Sequence, residues 1–117
     1  MSMDMTPRSV SFTIKVGSTT TLELTIKNAD GTARDLTNDT IFHSGKWKVW
    51  QPDGTLLVDK SIVYGTRSSG IVTVTFGSTE ITAAKAGIWA GEVELRNTSD
   101  VISEQTQTFN FTIEESY

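Results

Sequence analysis

The stretch GIVTVTFGSTEITAAKAGIWAGEVEL, residues 70–95, decides the fold class of this chain. It contains two runs in which apolar and polar residues alternate, one on each side of a short segment. A period of two places successive side chains on opposite faces, which is typical of a β-strand with one buried face. The face predicted to be buried collects Val72, Val74 and Phe76 in the first run, and Trp89, Gly91, Val93 and Leu95 in the second.

The segment between the two runs, residues 78–86, is the one place where the sequence favours a helix. Ser78 is a suitable N-terminal cap, and Gly87 is a natural stop because glycine accepts a left-handed backbone conformation. The segment is too short for more than a single turn. We therefore predict one short helical turn near 78–86 in a chain that is otherwise made of strands.

The same alternation extends along the rest of the chain, and turn-forming residues separate the runs. Asp30-Gly31 and Pro52-Asp53-Gly54 are strong turn signals. Short strands at regular spacing predict an all-β fold, an antiparallel immunoglobulin-like β-sandwich of about seven or eight strands. We expect residues 10–117 to form this single domain and residues 1–9 to form a flexible N-terminal arm.

Length and composition exclude several classes of function. The 117 residues suit one domain, and the absence of cysteine excludes disulfides and thiolate chemistry. A net charge of −4 without a basic cluster argues against a nucleic-acid partner. The sequence contains no apolar run long enough to cross a membrane, and MSMDMTPRSV lacks the apolar region of a signal peptide. We expect synthesis in the cytoplasm and no cofactor.

An acidic cluster, Asp30, Asp35, Asn38 and Asp39, is the main candidate for a metal site. Calcium requires six or more oxygen ligands, and short acidic side chains close together in sequence could supply some of them. The spacing does not match a calcium-binding helix–loop–helix, and Asx residues hydrogen-bond readily to their own backbone. We expect these residues to shape turns, with calcium binding as the alternative.

Catalytic groups are sparse. His43 is the single histidine and lies in a predicted loop, where we expect a surface residue rather than a general base. Glu92 and Glu94 lie two apart on one predicted strand, so they share a face instead of facing each other across a cleft as glycosidase carboxylates do. We expect both to be solvated, and we expect no enzymatic activity.

The three tryptophans divide into two groups. Trp47 and Trp89 fall on faces predicted to be buried, whereas Trp50 falls on the opposite face beside the Pro52 turn. An exposed tryptophan is typical of a protein interface, and it is also typical of a carbohydrate site. We favour the interface, and we keep sugar binding as the alternative.

The order of these elements is similar to that of a known family. VGSTTTLELTIKNADGTARDLTNDT is followed by KWKVWQPDGTLL, then by the stretch quoted at the outset, then by TFNFTI. This order resembles the N-terminal β-sandwich domain of upper-baseplate proteins of tailed bacteriophages and related small phage structural proteins. The resemblance covers residues 10–114. It depends on Asp30-Gly31, Asp35-Leu36-Thr37, Pro52-Asp53-Gly54, Gly70 before a Val-x-Val strand, and the corner from Thr79-Glu80 to Ala86-Gly87-Ile88-Trp89.

The resemblance implies a structural component of a virion that docks to other virion proteins and catalyses nothing. A baseplate, neck, tail-accessory or capsid-surface position follows from it, together with assembly into a homo-oligomer, ring or array. We expect the interface to include Trp50 and the arm residues Met5, Pro7 and Arg8. The alternative is an immunoglobulin-like module that binds carbohydrate, such as a host glycan, or another host-surface molecule.

Overall fold

The computed structural model describes residues 11–106 and 108–115. These residues form nine strands: β1 Ser11–Lys15, β2 Thr20–Thr25, β3 Ser44–Trp50, β4 Leu56–Ser61, β5 Val63–Tyr64, β6 Ile71–Phe76, β7 Gly87–Arg96, β8 Ile102–Gln105 and β9 Phe109–Glu114. Two 3₁₀ turns accompany them, Arg67–Ser69 and Ala83–Lys85. The arm 1–9 lies outside the described residues, so its separation from the domain stays a prediction.

The strands form two sheets, which confirms the all-β sandwich. The larger sheet has the order β1-β9-β7-β3-β4, with β8 also paired to β7, and the smaller has the order β2-β6-β5. In the strand letters of immunoglobulin domains, β9, β7, β3 and β4 correspond to G, F, C and C′, and β2, β6 and β5 correspond to B, E and D. This is the arrangement of variable-type immunoglobulin sandwiches. The described strands number one more than the predicted upper limit, because the chain changes sheets between β4 and β5.

One pairing departs from the antiparallel arrangement that the sequence predicts. β1 and β9 are parallel, in register from Ser11 opposite Asn110 to Lys15 opposite Glu114. β1 and β2 belong to different sheets, so they do not form a hairpin. β1 lies instead beside β9, which runs in the same direction.

The core lies between the sheets and is centred on aromatic rings. Trp47 of β3 is fully buried, and its ring lies 4.9 Å from that of Phe12 and 5.0 Å from that of Phe109, between centroids. Phe111 and Phe76 extend the cluster through edge-on contacts. Such geometry adds about 0.5–1.5 kcal/mol per pair to the apolar burial. The predicted burial of alternate residues on β3, β6 and β9 is confirmed.

The helical turn forms within the predicted segment, but its boundaries differ from those predicted. It spans Ala83–Lys85 and follows Thr82, so neither Ser78 nor Gly87 caps it. Ile81 is buried in the core, so the chain dips towards the interior before the turn begins. Gly87 belongs to β7 instead.

Candidate functional site

The acidic cluster of the sequence forms turns. The Asp30 carboxylate accepts hydrogen bonds from the Thr32 amide (3.0 Å) and hydroxyl (2.6 Å). Asp35 accepts a hydrogen bond from the Thr37 amide at 3.0 Å, and Asn38 accepts one from the Thr40 amide at 3.1 Å. Each bond joins a residue to the one two positions later, which is the geometry of an Asx turn.

These hydrogen bonds lower the pKa of the carboxyls of Asp30, Asp35 and Asp53, since each bond favours the ionised form. Asp53 repeats the pattern with the Thr55 amide at 2.9 Å. The common signal is therefore Asx-x-Thr, which forms this turn at Asp30, Asp35, Asn38 and Asp53. Within residues 11–106 and 108–115, no three histidine, aspartate or glutamate side chains are grouped so that they could hold a metal ion.

Asp39, the remaining acidic residue of the cluster, takes part in a contact that fastens the loop before β3. Its carboxylate lies 3.3 Å from His43 Nδ1 and 3.4 Å from an Arg67 guanidinium nitrogen. His43 and Asp39 are at least half exposed. The pair therefore lies on the surface and not in a cleft, as the sequence predicts for His43.

The Arg67 side chain stabilises the same loop through hydrogen bonds to its backbone. Its guanidinium donates to the carbonyl oxygens of Leu36, at 2.8 Å, and of Phe42. It also lies 4.0 Å from the centroid of the Tyr64 ring, which is a cation–π contact. Burial raises the pKa of the Tyr64 hydroxyl to about 12. These contacts stabilise the loop before β3.

We call the side of the larger sheet that faces away from the smaller sheet the outer face. Near its middle lies Glu94, which is only 5 % exposed, so the expectation that both glutamates are solvated is wrong for this residue. Glu94 lies 3.1 Å from Lys48 Nζ and 3.1 Å from an Arg96 guanidinium nitrogen. The Gln105 amide adds a contact at 3.4 Å. These long neighbouring side chains cover the carboxylate, although it points outward.

Glu92 and Glu94 experience opposite electrostatic effects. Burial raises the pKa of Glu92, and the neighbouring Glu94 charge raises it further. Burial alone would also raise the pKa of Glu94, but Lys48 and Arg96 outweigh it and hold that pKa below its usual value. Among the described residues Glu92 forms no ion pair, and its carboxylate accepts a hydrogen bond from the Gln105 amide at 3.1 Å.

Trp50 lies at one end of the outer face, beside an open depression of about 350 Å³. The register places Trp50 opposite Ala90, and Ala90 opposite Asn110, so three strands contribute one row of side chains. Trp50 is partly exposed, as expected of the tryptophan predicted to lie off the core. The depression is lined by Trp50, Gln51, Pro52, Ile88, Trp89, Ala90 and Asn110.

Two exposed apolar residues that sequence reasoning did not select, Ile88 and Leu56, adjoin Trp50, and we call these three residues the Trp50 region. Ile88 is 71 % exposed and lines the depression, and Leu56 is 44 % exposed and pairs with Trp50. The alternation on β7 already implied that Ile88 points away from the core. A shift of register between β3 and β4 turns Leu56 towards the same side as Trp50.

Trp89 is only partly buried, although the sequence predicts a core position. Its ring packs against the core, and its indole nitrogen donates to the Lys85 carbonyl at 2.8 Å. Met5, Pro7 and Arg8, the other residues expected at an interface, lie outside the described residues. The predicted roles of these three stay predictions.

A second depression, of about 240 Å³, lies beside β4. The Lys60 ammonium lies 2.5 Å from the Glu80 carboxylate, and Lys85 donates to the Glu80 carbonyl at 3.1 Å. Ile81 and Phe76 lie beneath these charged groups. The ion pair therefore covers the core where the two sheets separate.

Neither a protein-family model nor a curated protein matches this sequence. In the part of the chain that the structure describes, no helix is long and apolar enough to cross a membrane.

Proposed function

We propose that this chain is a structural or assembly protein of a tailed-bacteriophage virion, made in the host cytoplasm. In this role it acts through protein–protein contacts in the baseplate, neck, tail or capsid surface, without catalysis. The resemblance in sequence supports the proposal, and so does a fold of packed sheets with turns built from Asx-x-Thr. The observation that carries it is the apolar region around Trp50 on the outer face.

The Trp50 region has the chemistry of an interface rather than of a monomer surface. Tryptophan is enriched among the residues that contribute most to binding, and Ile88 and Leu56 add apolar area beside it. Burying apolar surface stabilises a complex by about 25 cal/mol per Å². A partner that covers these side chains therefore gains binding energy from apolar groups that the monomer leaves at least partly exposed.

Particle analysis tests the proposal. We expect mass spectrometry of purified virions from a phage that encodes this chain to find it at a fixed ratio to the other structural proteins. Trp50→Ala should reduce its incorporation, whereas Thr75→Ala, on the exposed side of the smaller sheet, should not. Absence of the chain from purified particles would contradict the proposal.

A carbohydrate-binding module is the second candidate, because amide groups surround the aromatic ring. Gln51 and Asn110 line the same depression as Trp50, and stacking on a ring together with amide hydrogen bonds suits a sugar. A glycan array separates the two roles. Sugar binding that is lost in Trp50→Ala while incorporation into particles is unchanged would favour the module over the assembly protein.

A further inference from the structure

We infer that the outer face of the larger sheet binds a second copy of this chain, face to face about a twofold axis. The inference rests on the proposed function and deepens it, because it names the partner of the Trp50 region. Three features of the described residues support it: the size of the face, its balance of charge, and the placement of its exposed apolar residues.

The size of the outer face suits a dimer. Strands lie about 4.8 Å apart and rise about 3.3 Å per residue, so five strands and the length of β7 span roughly 20 by 30 Å. This is about 600 Å² on each copy, and two copies together exceed the roughly 1,000 Å² expected of a specific interface. The smaller sheet has three described strands, one of only two residues, and offers about a third of that area.

The outer face is electrically balanced, although the chain is acidic. Alternation and register place equal numbers of basic and acidic side chains on it: Lys15, Lys46, Lys48 and Arg96 against Asp59, Glu92, Glu94 and Glu114. The chain as a whole carries 14 acidic and 10 basic residues, so the entire acidic excess lies elsewhere. Two copies can therefore meet through this face without net repulsion.

The arrangement of charges also suits a twofold axis. Lys48 and Glu92 are register partners near the middle of the face. A twofold axis that lies in the interface, parallel to the strands, and passes between them places each Glu92 opposite Lys48 of the second copy, since a twofold interface is self-complementary. Glu92 gains an ion pair in this arrangement, because within one chain the Lys48 ammonium contacts Glu94 and not Glu92. In the dimer each Lys48 ammonium, which has three donors, contacts Glu94 of its own chain and Glu92 of the second copy.

Apolar residues occupy both ends of the same face. Trp50, Leu56 and Ile88 lie at one end, and Ile102, which is 41 % exposed, lies opposite Arg96 at the other. The same twofold axis, which runs parallel to the strands, brings each end of one copy over the same end of the other, so apolar side chains meet apolar side chains. Apolar area is then covered at both ends while the charged middle pairs across the axis.

Sedimentation equilibrium of the full chain tests the inference. We expect the mass to rise with concentration from 12.8 kDa towards twice that value. Ile88→Asp should weaken association more than about 30-fold, the loss typical of a residue that dominates an interface. Val63→Asp is the matched control, because Val63 is 67 % exposed on the smaller sheet, and it should associate like the wild type. A wild-type chain that stays at 12.8 kDa up to about 1 mM, where only very weak complexes are missed, would overturn the inference.

NMR spectra of the wild-type chain in a dilution series locate the interface without any substitution. This measurement therefore tests the inference even if a variant fails to fold. We expect dilution to shift the amide signals of Trp50, Ala90 and Ile88 and to leave those of Val63 and Thr73 in place. Shifts confined to the smaller sheet, or equal loss of association in both variants, would contradict the inference. A monomer found in virions refutes the dimer alone, whereas a dimer absent from virions refutes the assembly role alone.

Discussion

Replacing Glu94 by alanine should destabilise the fold by about 2 kcal/mol, although Glu94 points outward from the sheet. The carboxylate is 5 % exposed and receives charged contacts from Lys48 and Arg96, each at 3.1 Å. A hydrogen bond to a charged group contributes about 1.5–3 kcal/mol. Removing one partner of a fully buried ion pair costs about 3–5 kcal/mol. Lys48 and Arg96 retain about a fifth of their side-chain exposure and regain water in the variant, so the lower part of these ranges applies.

Glu92, two residues earlier on the same face, is the matched control. Its pKa is raised by burial and by the Glu94 charge, so the folded state disfavours its ionised form. Glu92→Ala should therefore leave the free energy of unfolding unchanged or raise it slightly at pH 7. The effect of pH on the free energy of unfolding also differs in sign between the two residues. The stabilisation from Glu94 is lost as pH falls through the lowered pKa of its carboxyl. The destabilisation from Glu92 appears as pH rises above 4.5, the unperturbed pKa of its carboxyl.

Urea unfolding of both variants, at about 1 μM protein to exclude any effect of association, measures these differences. For a chain of this length, 2 kcal/mol corresponds to a fall in melting temperature of about 8 °C. A Glu94→Ala variant that loses less than about 0.5 kcal/mol, the usual range for a surface substitution, would refute the reasoning. So would equal losses in the two variants, because the argument depends on their opposite surroundings.

Three further predictions concern the loops. Arg67→Met removes the donor to the carbonyl oxygens of Leu36 and Phe42. The variant should lose about 2 kcal/mol of unfolding free energy in urea, and amide exchange in residues 36–42 should become faster. Unchanged exchange in these residues would contradict the prediction. Gly70→Ala should cost at least 2 kcal/mol, because the added Cβ would overlap the Ile26 carbonyl oxygen at a backbone φ of +71°. A variant as stable as the wild type would exclude that crowding. The pKa of the Asp53 carboxyl is lowered, so the turn that it forms stabilises the fold above about pH 4 and loses that effect as pH falls. Asp53→Asn should therefore make the melting temperature less sensitive to acid. A dependence of melting temperature on pH that matches the wild type would show that the carboxylate is not involved.

The buried faces of the strands were predictable because burial follows directly from alternation. Trp47 and Phe111 needed only a period of two to be assigned to the core, since each strand has one face towards the other sheet. The turns were predictable for a similar reason. The Asp30 and Asp53 carboxylates bond to residues two positions away, so their geometry depends on the local sequence alone.

The candidate site was only partly predictable. Trp50 could be assigned to the outer side of its strand, but its neighbours come from strands distant in sequence. Ala90 and Asn110 join its row only because β7 lies between β3 and β9. The burial of Glu94 depends in the same way on long side chains from other positions, and alternation alone indicated an exposed residue.

The sequence by itself determined which residues face inward, where the chain turns, and that the fold is all β, because these properties depend on neighbours within a few positions. Only the tertiary structure decided that β1 pairs in parallel with β9, that Glu94 is covered, and that Trp50, Leu56 and Ile88 form one apolar region. The physical reason is that strand order and register bring together side chains up to a hundred residues apart, and the pattern of a single strand carries no information about which strand lies beside it.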